Sequence, residues 1–141
     1  MLLEHIFQIQ NRLQDVPRVL TGVEEFCRAQ GLAKETSLDL RLVAEEVLSN
    51  IVQYAHAEIE ERPVELRLSV SRESVRMEFR DEGTPFNPLD APTPDLDARP
   101  DERAIGGLGV HLVRSLVDEA RYSREGSVNV FVLMKHVGST I

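Results

Sequence analysis

Three short stretches of this sequence carry residue types that do chemistry. In LRLVAEEVLSNIVQYA, Glu46 and Asn50 are four residues apart. At that spacing they are neighbours on a helix, and a carboxylate beside an amide oxygen offers a base and a ligand for a hard cation. In RDEGTPF, Asp81 is followed two residues later by Gly83. A carboxylate on a core-facing strand position needs donors, for which the exocyclic amine of a purine is suitable, and glycine permits close backbone approach or a positive φ. In IGGLGVHLVRSL, Gly106, Gly107 and Gly109 precede an amphipathic stretch. A helix N-terminus presents free N–H groups and a partial positive charge, and glycines let a phosphate come close.

Each stretch also has a plain structural reading. Glu46 and Asn50 read as a polar helix edge, Asp81 as a turn-capping residue, and the glycines as a hinge ending a loop. The glycine stretch is not a P-loop, because no Gly-Lys-Ser/Thr follows, nor a dinucleotide fingerprint, because no strand directly precedes it.

The elements that position these residues are legible from periodicity. HIFQIQNRL alternates and predicts a short first strand. Val16, Val19, Leu20, Val23, Phe26 and Cys27 recur at helical spacing, with Pro17 in the first turn and Gly31 as a stop. A second helix, capped by Thr36 or Ser37, reaches to about Ala57. With Val47 set at zero, Leu40, Val43, Ala44, Ile51 and Ala55 form its apolar stripe. Asn50 then falls at about −60° and Glu46 at about −100°, at the stripe's edge, whereas Glu45 and Ser49 point to solvent. Val64, Leu66, Leu68 and Val70 share one strand face, and Val75, Met77, Phe79 and Asp81 another, joined by an SRES turn. From Gly83 to Ile105 no period survives, which marks a functional or disordered loop. The glycine-started helix runs to about Val117. Two strands follow, ARYSRE and SVNVFVLMKH, the last apolar on both parities and expected to be buried on both faces. The order β-α-α-β-β-loop-α-β-β predicts an α+β two-layer sandwich. Its sheet is mixed, mainly antiparallel, and three helices cover one face.

The composition narrows the function classes. The 141 residues suit one domain spanning residues 1–141, with an aliphatic core, since 42% are hydrophobic and only 5% aromatic. A net charge of −8 argues against nucleic acid as a direct partner, though not against one bound nucleotide. Cys27 is the single cysteine, which leaves no disulfide framework or thiolate cluster, and His5, His56, His111 and His136 lack ligand spacing. No apolar run approaches membrane-span length, and a cytoplasmic protein without membrane partners is expected.

In the order helix Glu-x-x-x-Asn, strand-end Asp-x-Gly, long loop, Gly-Gly-x-Gly helix, the sequence resembles the Bergerat-fold (GHKL-type) ATPases. It is similar above all to the single-domain branch of bacterial anti-sigma factors that are also serine protein kinases, proteins of transcription regulation. EEVLSNIVQYA looks like the N box of that branch, DEGTPFNP like its first glycine box, and IGGLGVHLVRSLVDEARYSREGSVNVFVLMKH like its second with the closing strand. The resemblance implies ATP and Mg²⁺ as cofactors. It makes Glu46 the general base and Asn50 the magnesium ligand. Asp81 becomes the acceptor of the adenine amine, with Gly83 letting the base approach. It implies an ATP lid over about residues 87–105, with Arg103 reaching the γ-phosphate and the segment Gly106, Gly107, Leu108 and Gly109 binding phosphates. Aligned on Asn129 and Lys135, the family's usual threonine near adenine falls at Val132, which removes a hydrogen bond worth about 1 kcal/mol.

The implied partners are an anti-sigma factor antagonist protein, phosphorylated on serine, and a sigma factor, with the chain as a homodimer. The competing function is a nucleotide-binding, partner-switching module with little or no kinase activity, which Val132 favours and the intact Glu46 and Asn50 oppose. An autophosphorylating histidine kinase is excluded, since no helix pair carries a phosphoacceptor histidine. A ligand-free α/β domain would leave all three stretches to coincidence.

Overall fold

The computed structural model describes residues 3–55, 61–90 and 109–138. Strand β1 (Leu3–Gln10) leads through a short 3-10 turn into helix α1 (Val16–Ala29) and helix α2 (Lys34–Asn50). A single π-helical turn, Ile51–Ala55, extends α2. Strands β2 (Pro63–Val70) and β3 (Ser74–Asp81) form a hairpin, and helix α3 (Gly109–Leu116) precedes a second hairpin, β4 (Glu119–Glu125) and β5 (Val128–His136). The five strands form one sheet in the order β1-β2-β3-β5-β4. Every described ladder is antiparallel, in line with the mainly antiparallel sheet expected, and no parallel pair occurs among the described strands.

The alternation of the strands sets the two faces of the sheet. Val64, Leu66 and Leu68 of β2, Val75, Met77 and Phe79 of β3, and Phe131 and Leu133 of β5 are all buried against the helices. From above, α1 contributes Val16, Val19, Leu20, Val23 and Cys27, α2 contributes Leu40, Val43, Ala44 and Val47, and α3 contributes Val113. Burial pushes the Cys27 thiol up to about 12, so it packs as an inert small apolar group.

Helix α1 ends as its sequence requires. Gly31 takes φ +87, which lets its own N–H reach the Arg28 carbonyl (3.0 Å) and the Leu32 N–H reach Cys27 (3.1 Å). That is the paired arrangement of a Schellman cap.

Helix α2 differs from expectation at its start. It begins at Lys34, with Ala33 as cap, rather than at Thr36 or Ser37. Ser37 lies within the helix, fully buried, and its hydroxyl donates to the Ala33 carbonyl (3.1 Å), so its hydrogen bond runs back along the helix. The α-helical ladder gives way after Asn50 to the wider π turn, which carries the helical path on to Ala55; the predicted end near Ala57 lies outside the described residues. The buried face is also wider than the predicted stripe. Leu48 and Asn50 are buried as well as the apolar set, because α2 sits between α1 and α3 over the sheet.

Strand β5 meets the expectation of two buried faces only in part. Asn129, Phe131 and Leu133 face the helices and are buried; on the opposite face Val130 is buried while Val132 and Met134 are half-exposed. That face carries a charged layer in place of a second helix layer. Glu78 of β3 is 7% exposed and is held by Arg76 (2.8 Å) and Arg80 (3.1 Å), with Arg67 at 3.7 Å. No described helix is long and apolar enough to cross a membrane.

Candidate active site

Glu46 lies on the flank of α2 that meets α3. It is half-buried while Glu45 is exposed, as the helical angles predict. A side-chain carbon added at Gly109 would overlap the Glu46 carboxylate, so glycine at 109 is what leaves the carboxylate its present place. Burial and then the neighbouring Glu45 charge push the Glu46 carboxyl above its ordinary range. A carboxylate so placed is a better proton acceptor than a solvated one.

One turn further on, Asn50 is the last α-helical residue, 2% exposed. Its Oδ1 has no hydrogen-bond partner among the described residues. An orphaned buried carbonyl oxygen is costly unless something occupies it. Asn50 lines a cleft of about 10 Å³ with Val47, Pro88, Leu89, Val110, Val113 and Phe131. The described residues offer no group of three or more histidine, cysteine or carboxylate side chains for a metal. A hard cation arriving with a nucleotide needs far less from the protein, and one amide oxygen beside a carboxylate fits magnesium, which keeps waters and phosphate oxygens as its other ligands.

Asp81 ends β3 on the helix-facing side, 4% exposed, in line with Phe79. Its Oδ1 accepts the Gly83 N–H (2.9 Å) and the Asn129 Nδ2 (3.1 Å). Asp81 therefore both shapes the turn and sits on the buried parity, which unites the two readings of this residue. Gly83 is buried but is not among the positive-φ residues, which are Gly31 and Gly126 among those described. The π turn connects this end of the sheet to α2. The Ala55 carbonyl accepts from the Thr84 N–H (2.9 Å) and hydroxyl (3.3 Å), and the Tyr54 and Phe86 rings lie 5.4 Å apart. Widened turns of this kind recur at functional sites.

The structure thus brings Glu46, Asn50 and Gly109 together between α2 and α3. It sets Asp81 and Gly83 at the adjoining end of β3. Gly106, Gly107, Leu108 and Arg103 lie outside the described residues, as does the expected lid beyond Asp90; its first residues, Pro88–Asp90, form a 3-10 turn.

Val132 does not belong to this site. It pairs with Glu78 on β3 and faces the charged side of the sheet, with Arg76, Arg121 and Met134. The β5 residue directly opposite Asp81 is Asn129, buried and hydrogen-bonded to it. Asn129 carries no parity signal of its own, because β5 is apolar on both parities; the register with β3 is what locates it.

The match to known proteins follows this geometry. The model of the histidine kinase-like ATPase domain matches residues 9–135, and the chain belongs to that family. Within it, the chain is similar to the serine/threonine-protein kinase BtrW of Bordetella bronchiseptica, 31% identical over 97 residues, covering 69% of this chain and 68% of the relative. It is also 31% identical over 97 residues to the serine-protein kinase RsbW of Bacillus subtilis, covering 65% of this chain and 60% of that protein.

Proposed function

We propose that this chain binds ATP with Mg²⁺ and transfers the γ-phosphate to a serine on a partner protein, an anti-sigma factor antagonist. The carrying observation is the Glu46–Asn50 pair. A carboxyl held above its ordinary range lies one helical turn from a buried oxygen with no described partner. A ligand-free helix edge has no use for either feature. The names of the two relatives, both protein kinases, support the same reading.

In this reading Glu46 accepts the proton of the attacking serine hydroxyl as the oxygen approaches the phosphorus. Gly109 leaves the carboxylate room on the α3 side. Asn50 Oδ1 would hold the magnesium, which when bound offsets the charge of the phosphates. Asp81 accepts the adenine amine, and Gly83 keeps that wall thin. The N–H groups of the Gly106–Gly109 segment receive phosphate oxygens, and Arg103 adds positive charge at the γ-phosphate. Phosphoryl transfer needs mainly positioning and electrostatics, and these groups provide both. A sigma factor as second partner, a homodimer and a single domain over residues 1–141 belong to the same proposal.

The test uses radiolabelled ATP, Mg²⁺ and a candidate antagonist protein. Label on a serine of the antagonist, lost in Glu46→Gln while nucleotide binding persists, supports the kinase. Nucleotide binding without transfer to any antagonist turns the reading to a partner-switching module. Absence of ATP and ADP binding at millimolar concentration overturns both.

A further inference from the structure

The amide of Asn129 is the most heavily bonded side chain at the Asp81 end of the site. Its Nδ2 donates to Asp81 Oδ1 and to the Thr84 carbonyl (2.8 Å). Its Oδ1 accepts from the Phe86 N–H (3.3 Å), from Arg124 Nη1 (3.1 Å) and from the Tyr122 hydroxyl. Both Tyr122 and Arg124 come from β4, the edge strand; in the ladder Arg124 stands opposite Asn129 and Tyr122 opposite Phe131. Arg124 Nη1 also donates to the Gly83 carbonyl (2.8 Å).

An amide presents an acceptor on one side and a donor on the other, and its neighbours decide which way it faces. Three donors converge on the Asn129 oxygen, and one is a guanidinium, which makes a charge-assisted bond. The amide nitrogen must then face Asp81. There it holds one carboxylate oxygen in place together with the Gly83 N–H. Each donor lost weakens that hold on the amide, and an oxygen turned toward the carboxylate would repel it.

We propose that Tyr122 and Arg124 are positioning residues for purine discrimination, acting through Asn129 to hold the Asp81 carboxylate as a hydrogen-bond acceptor toward the base. The inference rests on the nucleotide reading above. Adenine offers an amine donor at the position where guanine carries a carbonyl acceptor. A rigid carboxylate therefore attracts the first and repels the second, while one that can swing away discriminates less.

The experiment measures ATP·Mg and GTP·Mg binding to the full chain by calorimetry, with KM and kcat where transfer is detectable. The variants are Arg124→Met, Arg124→Lys and Tyr122→Phe. The wild type is expected to prefer ATP. Arg124→Met and Tyr122→Phe should each weaken ATP about tenfold while changing GTP less than about twofold, the size expected for one lost polar contact. The loss should appear in KM with kcat held, and Arg124→Lys, which keeps a charged donor, should recover part of it. Tyr122→Phe removes only a hydroxyl and keeps the ring, so the inference stays testable even if Arg124→Met fails to fold. ATP and GTP weakened in equal proportion, or an unchanged preference, overturns the inference. So does a wild type that binds both nucleotides equally, which leaves the nucleotide reading standing. A wild type that binds neither removes both.

Discussion

At the scale of single residues, Glu46 couples function to stability with opposite signs. Its folded-state pKa is raised, so the folded chain holds the proton more tightly than the unfolded one. Stability is therefore lost as pH rises from the ordinary carboxylate range through the raised value, and the ionised form present at neutral pH opposes folding. Glu46→Gln should raise the melting temperature at pH 7, and the gain should vanish when both proteins are melted below about pH 4, where the glutamate is protonated in both states. The same variant should lower phosphoryl transfer by about 10²–10⁴-fold, the range of a lost general base. Wild-type transfer should rise with pH through the raised value, as the base loses its proton. Gly109 shows the same economy of space. Gly109→Ala places a methyl group on the Glu46 carboxylate, whose flexible end must swing aside. Phosphoryl transfer should fall because the base is displaced, with stability in chemical denaturation changed by less than about 1 kcal/mol; transfer at the wild-type rate would contradict the close approach.

At the scale of elements, α3 is short and depends on what holds its ends. It has eight residues, with Val113 buried at 3%. Its last turn is closed from outside the helix, by Lys135 of β5, whose Nζ donates to the Leu116 carbonyl (2.7 Å). An ammonium at a helix C-terminus satisfies an orphan carbonyl and opposes the negative end of the dipole. Lys135→Met keeps the stem and removes the charge. It should cost about 1–2 kcal/mol in urea unfolding and speed hydrogen exchange in α3 more than in α1. Equal exchange in the two helices would show that the contact does not hold α3. The π turn after Asn50 is the other element-scale device. It carries the Ala55 carbonyl to Thr84, which ties the end of α2 to the loop after Asp81.

At the scale of the whole molecule, the two faces of the sheet are stabilised differently. The helix-facing side is an aliphatic core with Phe79 and Phe131 at its centre. The opposite side holds Glu78 among Arg67, Arg76 and Arg80. Burial by itself raises the Glu78 pKa, but hydrogen bonds from Arg80 and Arg76, with their charges, outweigh it and leave the value lowered. The stability this group contributes is present above the ordinary carboxylate range and is lost as pH falls through the lowered value. Glu78→Gln should therefore cost about 1–2 kcal/mol at pH 7, between an exposed and a buried pair. The urea midpoints of variant and wild type should converge as pH falls toward about 3, below the ordinary carboxylate value. A difference independent of pH would locate the effect in packing instead of charge.

Much of this fold was legible because its signals are local. Period-2 runs placed β2 and β3, helical spacing placed the buried stripes of α1 and α2, and angular position chose Glu46 over Glu45 as the residue turned inward. Asp81 stood out because strand parity is a local property. The sequence by itself determined these elements, their buried faces and the order of motifs that marks the family. Tertiary structure decided what depends on contacts between distant segments. Only strand pairing shows that Asn129, and not Val132, stands opposite Asp81, and that β5 runs between β3 and β4 with one side open to charged neighbours. Only helix packing shows that Gly109 lies against Glu46 and leaves it partly desolvated. The physical reason is the same in each case: periodicity records which way a side chain points, while register and packing determine what it meets.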